Sequence, residues 1–360
     1  MLWLSQLMQT PNHDSAAIYR YRDCLAAVDC LCAAIVHLDF FTWLSQNPTT
    51  PRDLCERLHL HPRPTDAMLT LFLANGFLRR TAGGTLHLSS LAEEFLVAGS
   101  PCDTRAYYAS IADKPGVHDF LKVLRTGKPA NLPGEKGEAD WHAAMRSPAF
   151  AEAFTAAMDC RGRVLAPALA EAVPLASSKK MLDIGGGSGV YTIACLEANP
   201  HLHGIVLESS PVDAIARRTI QQAEVQTIQP SSHAKARLAD RISVLTGDMF
   251  TDAWPSDCDV HLFSNVLHDW DEPDCRRLLS QSAQSLSGNG RIVIHDMFLN
   301  DDKTGPLWAA EYSVLLAGVT QGRLYSTNEI SGWLQPLGFV IVQHTPTALG
   351  RSVLEAVRQA

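Results

Sequence analysis

The chain has 360 residues, 46% hydrophobic and 19% charged, a composition that fits a globular protein with room for two separate cores. Its formal charge of −8 argues against a nucleic-acid polyanion as main partner, because phosphate binding draws on clustered Lys and Arg. Met1-Leu2-Trp3-Leu4 has no basic n-region, the apolar run Cys24 to Leu38 is broken by Asp29 and His37, and nine cysteines stand without a C-x-x-C pair; a reduced, cytoplasmic protein with no membrane partner is expected.

Residues 15–46 read as two helices, on which Ile18, Leu25, Val28, Leu31, Cys32 and Ile35 recur at helical spacing. Thr50-Pro51-Arg52-Asp53 offers a capping Thr, a Pro at the first helical position and an acid three residues after the cap. His61-Pro62-Arg63-Pro64 turns into a second helix with Met68, Leu69, Phe72 and Leu73 inward, closed by Gly76. Phe77 to Arg80, Gly83-Gly84 and Leu86-His87-Leu88 predict a hairpin, and Ser90-Leu91-Ala92-Glu93 a capping box. Helix-turn-helix plus hairpin is a winged-helix pattern. Its second helix, read as Thr65 to Asn75, carries one acid and no base, so an interaction module is preferred over a groove reader. Residues 100–175 are expected to be irregular and then helical. A loop runs from Gly127 to Gly137, and an Ala-rich helix from Trp141 to Leu169 carries Phe150, Phe154, Met158 and Leu165 on its apolar side.

From Lys179 the chain alternates strands and helices, the pattern of a parallel sheet covered on both faces. Lys180 to Ile184 is a short apolar strand running into Gly185-Gly186-Gly187-Ser188-Gly189, with a helix opening at Val190. Strand, Gly turn and helix N-terminus together make a nucleotide cradle, and the next strand ends in Glu208, where a ribose diol would be gripped. A dinucleotide fingerprint wants G-x-G-x-x-G, whose third glycine would fall at Val190; the spacing here is Asp183-x-Gly185-x-Gly187-x-Gly189. The segment from Gln226 to Asp240 is polar and reads as a loop insertion or an extended helix end. Strand Ile242 to Leu245 leads into Gly247-Asp248-Met249-Phe250, and strand Val260 to Phe263 into Asn265-Val266-Leu267-His268-Asp269-Trp270. Pro273 starts a helix to about Leu286, strand Arg291 to His295 ends at Asp296, and Phe339 to His344 with Ser352 to Val357 closes the sheet with an antiparallel hairpin. His268 with His295-Asp296 is a weak metal pattern, and no metal is assigned.

The D-x-G-x-G-x-G string resembles motif I of class I S-adenosylmethionine (SAM) methyltransferases. With Leu267-His268-Asp269-Trp270, Gly322 to Phe339 and the winged-helix pattern, the chain resembles two-domain O-methyltransferases of plant small-molecule and bacterial natural-product pathways, acetylserotonin O-methyltransferase-like enzymes included. That resemblance implies an α/β fold, a Rossmann-like seven-stranded sheet with an N-terminal, mainly helical winged-helix domain. It divides the chain into a dimerisation domain at 1–100, a helical linker at 101–175 that contributes to the substrate pocket, and a SAM-binding catalytic domain at 176–360. It implies a homodimer that methylates the phenolic or enolic hydroxyl of a small, largely apolar acceptor. Gly185 and Gly187 would then sit against the amino-acid part of SAM, with Asp183 and Gly189 also in the cofactor site, while Glu208 would grip the ribose hydroxyls and Asp248 and Met249 would contact the adenine. Ser264, where plant members carry lysine, is assigned to the cofactor site, and Met158, Trp270 and Tyr312 to the acceptor pocket. His268 would be the general base. Asp296 stands where the family has the first of two orienting glutamates, and the second falls near Leu324. That gap leaves same-fold C- or N-methylation or a non-methylating reaction as the alternative, and a DNA-binding or SAM-sensing regulator as the remoter one.

Overall fold

The structure is a computed structural model that describes residue 7 and residues 11–130, 141–227 and 237–359. The expected loop from Gly127 to Gly137 passes outside the described residues after position 130, as does most of the polar segment from Gln226 to Asp240.

Three helices, α1 (Ala16–Asp23), α2 (Leu25–Cys32) and α3 (Phe40–Gln46), with a π turn over Ala33–His37, replace the two expected over 15–46. The expected apolar stripe divides. Cys32 and Ile35 are buried, while Ile18, Leu25 and Val28 are 74%, 65% and 51% exposed, beside Tyr21 at 80%. Spacing decides which residues share a face; only tertiary packing decides whether that face is covered. α4 (Pro51–Leu58) begins as read, with the Asp53 N–H donating to Thr50 Oγ1 at 3.3 Å. α5 (Pro62–Ala74) starts three residues before Thr65 and therefore does carry a base, Arg63. The hairpin of β1 (Leu78–Arg80) and β2 (Leu86–Leu88) follows, then α6 (Ser90–Phe95), capped by Ser89 rather than Ser90. Phe40, Phe41 and Phe72 pack with ring centroids 5.1–5.5 Å apart at the centre of this helical core.

Helices α7 (Arg105–Ala109) and α8 (Pro115–Thr126) occupy a stretch expected to be irregular. The single long helix expected next is two, α9 (Trp141–Met145) and α10 (Pro148–Ala172), because Pro148 lacks an N–H to continue a preceding helix and suits a first-turn position. Leu165 is buried there, whereas Phe150, Phe154 and Met158 are half-buried.

The remaining elements are β3 (Lys180–Ile184), α11 (Val190–Ala198), β4 (His203–Glu208), α12 (Val212–Thr227), α13 (Leu238–Arg241), β5 (Ile242–Thr246), β6 (Val260–Ser264), α14 (Glu272–Ser285), β7 (Arg291–Asp296), α15 (Leu307–Val319), α16 (Thr327–Leu334), β8 (Phe339–Pro346) and β9 (Ser352–Arg358). They build a seven-stranded sheet in the order β5-β4-β3-β6-β7-β9-β8, in which β9 runs antiparallel to both neighbours. Strand order reverses between β3 and β6, so the loops leaving their carboxyl ends border one crevice, where open α/β sheets bind ligands.

Two helices cross the division expected at residues 100 and 175. α10 lays Ala166, Leu169 and Ala170 into the sheet's core. α15, a stretch given no element in the sequence analysis, is apolar apart from Tyr312, Ser313 and Glu311, the last paired with Arg20 of α1 at 2.8 Å, and inserts Ala310, Val314 and Ala317 into the helical core against α5 and α2. The charges of α5 face the same way. Arg63 donates to the carbonyls of Ala317, Gly322 and Gly127 at 2.7–3.0 Å, and Asp66 pairs with Arg323 at 3.1 Å. The helix that would read a DNA groove in a winged-helix protein thus holds the segment that runs beside His268.

Candidate active site

Past Ile184 the chain turns through Gly185, Gly187 and Gly189 with φ of 65°, 58° and 80°. A Cβ at Gly187 would meet nothing within 4 Å, so main chain is open to a ligand there. At Gly186 it would strike Asp183 and Val206 at 2.7 and 2.9 Å, so glycine at 186 lets the turn lie down on β4. Glu208, at the end of β4, accepts the Gly187 N–H at 3.0 Å on one carboxylate oxygen and the Ser209 N–H at 2.7 Å on the other. The acid and the glycine turn are therefore one assembly. Asp183 is buried beneath it. Its Oδ2 accepts from Thr192 Oγ1 at 2.6 Å, its Oδ1 has no partner among the described residues, and burial pushes the carboxyl up to about 7. Ser188 Oγ donates to Asp159 of α10 at 2.6 Å. Across the crevice, Asp248 accepts the Phe250 N–H at 2.7 Å, and the Met249 sulfur lies 3.8 Å from where a Gly185 Cβ would stand.

His268 sits in a 3₁₀ turn, Leu267–Asp269, directly after β6, and is 3% exposed. The parallel β6–β7 register pairs Ser264 with His295, which brings the chain just beyond both strand ends together. His268 Nδ1 lies 2.7 Å from Asp296 Oδ1. Nε2 is 3.7 Å from Asp269 Oδ1, beyond hydrogen-bond range, and the Tyr312 ring stands edge-on with centroids 5.7 Å apart. Burial works against an imidazolium here, but Asp296, then Tyr312 and Asp269, outweigh it and raise His268 to about 9. Asp269 is itself pushed up to about 6 by burial. Gly322 backs this turn: a Cβ there would collide with the His268 carbonyl oxygen and the Trp270 nitrogen.

The other expected residues divide into three groups. Tyr312 Oη accepts from Arg161 Nη1 at 3.0 Å, and the Met158 sulfur lies 3.0 Å from Arg161 Nη2, so both flank the His268 side. Trp270 packs edge-on against Phe250, centroids 4.4 Å apart, on the side of the 247–250 turn. Ser264 has its hydroxyl engaged by His295 Nδ1 at 3.0 Å and by Asn265. The second ring nitrogen of His295 is taken by Thr347, and burial, followed by the Arg351 charge, lowers its pKa to about 3. Four residues at the site were not singled out from the sequence: Asp159, Arg161, Asp269 and Arg351. Asp269 stood inside the quoted Leu267-His268-Asp269-Trp270. Arg161 lies one turn after Met158 on α10, but nothing local marks it as buried.

The sequence profile of the O-methyltransferase domain family matches residues 122–340. The chain is 29% identical to 3-hydroxy-5-methyl-1-naphthoate 3-O-methyltransferase of Streptomyces sahachiroi over 85% of this chain and 84% of that protein. It is equally, 29%, identical to L-tyrosine C(3)-methyltransferase of Streptomyces lavendulae over 85% and 82%. Among solved structures it is similar to an O-methyltransferase family 2 protein from Planctomyces limnophilus DSM 3776 in complex with apigenin, with TM-score 0.85, 30% identity and 98% of each chain covered.

Proposed function

We propose, from the premise that the chain belongs to the O-methyltransferase domain family and is a SAM-dependent O-methyltransferase, that its acceptor is the phenolic or enolic hydroxyl of a small, largely apolar molecule and that His268 is the general base. The observation that carries the reading is the 2.7 Å bond from His268 Nδ1 to Asp296, which leaves Nε2 without a hydrogen-bond partner among the described residues, just beyond the end of β6. SAM, when bound, supplies a methyl group made electrophilic by its sulfonium. The protein's part is then to position and deprotonate. Asp296 fixes the tautomer that keeps a lone pair on Nε2, which takes the acceptor's proton as its oxygen attacks. Holding two reactants in near-attack geometry lowers a barrier by roughly 7–11 kcal/mol in favourable cases, and a placed base adds about 10²–10⁴-fold. The apolar character of the acceptor is supported by Met297, Leu299, Leu316 and Leu324, which cluster around Tyr312. Its hydroxyaromatic character is supported by the relatives named for a hydroxynaphthoate and crystallised with apigenin.

The glycine turn fits SAM on three counts: open space at Gly187, the carboxylate of Glu208 joined to that turn, and a cationic group's natural partner in the orphaned Asp183 oxygen. In this reading Gly185, Gly187, Gly189 and Asp183 hold the amino-acid part, Glu208 the ribose, and Asp248 and Met249 the adenine. Glu208→Ala removes an acceptor for two hydroxyls, each such bond to a charged group being worth about 1.5–3 kcal/mol, and also frees the Gly187 N–H. Calorimetry is expected to show SAM binding weakened by at least about tenfold; an unchanged affinity would remove Glu208 from the ribose.

A second reading, C-methylation on the same scaffold, is favoured by the L-tyrosine C(3)-methyltransferase relative. Positional NMR of the product separates methoxyl from ring methyl.

The homodimer is likewise a proposal, now with an address. Ile18, Tyr21, Leu25 and Val28 put four large apolar side chains in water on α1 and α2, a grouping that marks a partner surface. Wild-type protein should sediment as a dimer at micromolar concentration and the double variant Leu25→Glu, Val28→Glu as a folded monomer. A wild-type monomer would end the proposal. Among the described residues no single helix is long and apolar enough to cross a membrane. A cytoplasmic location is proposed from the nine cysteines, all of them free thiols.

A further inference from the structure

Two buried arginines at the site have no carboxylate bonded to them among the described residues. Arg161 is 7% exposed and Arg351 1%. Among the described residues Arg161 bonds to Tyr312 Oη and the Met158 sulfur alone. Arg351, in the β8–β9 turn, gives Nε to Asn265 Oδ1 at 3.2 Å and Nη1 to the Leu349 carbonyl at 2.8 Å, and its buried Nη2 has no partner among the described residues. The two guanidinium carbons lie 5.6 and 5.3 Å from the centroid of the same Tyr312 ring, and neither makes an ion pair among the described residues. Buried charges are ordinarily paired and buried N–H groups bonded, so this arrangement is incomplete as it stands.

Charge and shape narrow what completes it. Asp23, 1% exposed and bonded to Trp308 Nε1, is the buried carboxylate that acts on both arginines. It and Asp269, whose carboxyl is ionised above about pH 6 and interacts with Arg161, balance the two positive charges, so what the arginines lack is not net charge but acceptors. Among the described residues neither guanidinium bonds to a carboxylate, and a monoanion supplies those acceptors with the least added negative charge. A dianionic phosphate would also have to sit near Asp23, Asp269 and Asp296. A planar carboxylate matches a guanidinium fork and accepts from two of them at once. Burial, and after it the like charge of Arg161, lowers Arg351, the direction expected of a cation short of an anion; Arg161 moves up, because Tyr312 and Asp23 outweigh its burial.

We propose that Arg161 and Arg351 form a buried carboxylate-binding site between the cofactor turn and the base. Resting on the methyltransferase reading, this names a feature of the acceptor: an acidic group beside the hydroxyl that is methylated. Tyr312 spans the distance, since its hydroxyl is held by Arg161 while its ring faces His268. Arg351 immediately precedes Ser352, which pairs with Asp296 across β9 and β7. The methionine carboxylate of SAM is the second source of the same chemistry, because Arg161 precedes Gly162, which packs on Val190 at the head of α11.

The test is calorimetric and needs no turnover. Hydroxyaryl carboxylates built on one, two and three rings are compared with their neutral carboxamides, with S-adenosylhomocysteine present. SAM is compared with decarboxylated SAM. Each is measured on wild type, Arg351→Leu and Arg351→Lys, with melting curves to show folding. If the acceptor supplies the carboxylate, wild type prefers it over the carboxamide by about ten- to a hundredfold and both variants lose that preference. If SAM supplies it, the variants lose about tenfold or more for SAM and nothing for the decarboxylated analogue. Folded variants in which neither ratio moves overturn the site. Should Arg351→Leu not fold, Arg351→Lys decides, since it keeps the charge and loses only the planar fork. A carboxylate preference that disappears in the variants, in a protein that methylates none of these hydroxyls, would leave this site standing and remove the acceptor reading.

Discussion

His268→Ala is expected to lower kcat by about 10²–10⁴ while SAM binds within a few-fold of wild type. The separation follows from placement. His268 bonds to Asp296 and faces Tyr312, but none of its contacts reaches Gly187 or Glu208, the parts assigned to the cofactor. Losing the ring should therefore remove proton transfer and leave the cradle intact. For a phenolic acceptor, raising the pH toward the phenol's own pKa should restore part of the loss, because the phenolate then forms without a base. Full activity of the variant at neutral pH would sink the assignment and point to catalysis by proximity alone, or to an acceptor that arrives ionised.

Much of this site could be read from sequence because its chemistry lies where parallel strands end. Asp183 to Gly189, Glu208, His268 and Asp296 all stand at or just beyond the carboxyl ends of adjacent strands, and a short, nearly continuous apolar run that breaks off into polar residues or glycine marks such an end locally. His268 and Asp296 are 28 residues apart, yet one crossover sets them side by side. What escaped has no local signature. Arg161 and Tyr312 meet across 151 residues, and Trp308 and Asp23 across 285. Their encounter depends on α15 being drawn into the helical core, and a 13-residue helix with apolar residues all round its axis shows no preferred face from which to foresee that. On α1 and α2, Ile18, Leu25 and Val28 share a helical spacing yet lie in water, because spacing sets a common face and not its burial. Hydrophobic residues inside is a rule that runs one way only.

Asp296→Asn is expected to cost about ten- to a hundredfold in kcat from the lost charge-assisted bond, and more if the ring settles into the tautomer that places its proton on Nε2. The pH profile distinguishes this from a merely structural loss. His268 acts as a base only when neutral, so the wild-type acceptor kcat/KM should climb with pH through an apparent pKa above the ordinary 6.5 and no higher than about 9, since a bound sulfonium opposes the imidazolium. Of the influences that raise His268, Asp296 is the largest; without it the balance moves toward burial, and the limb should shift to lower pH. Stability should follow the same group with the opposite slope. A histidine held above its unfolded value favours folding fully below about pH 6.5, and that contribution declines as pH rises toward about 9. Asp296→Asn should therefore flatten the alkaline decline in melting temperature while moving the activity limb acidward. A limb that keeps its position in Asp296→Asn would show that the titrating group is not His268 as Asp296 holds it, and would return the search for the base to Asp269, whose carboxyl lies 3.7 Å from Nε2.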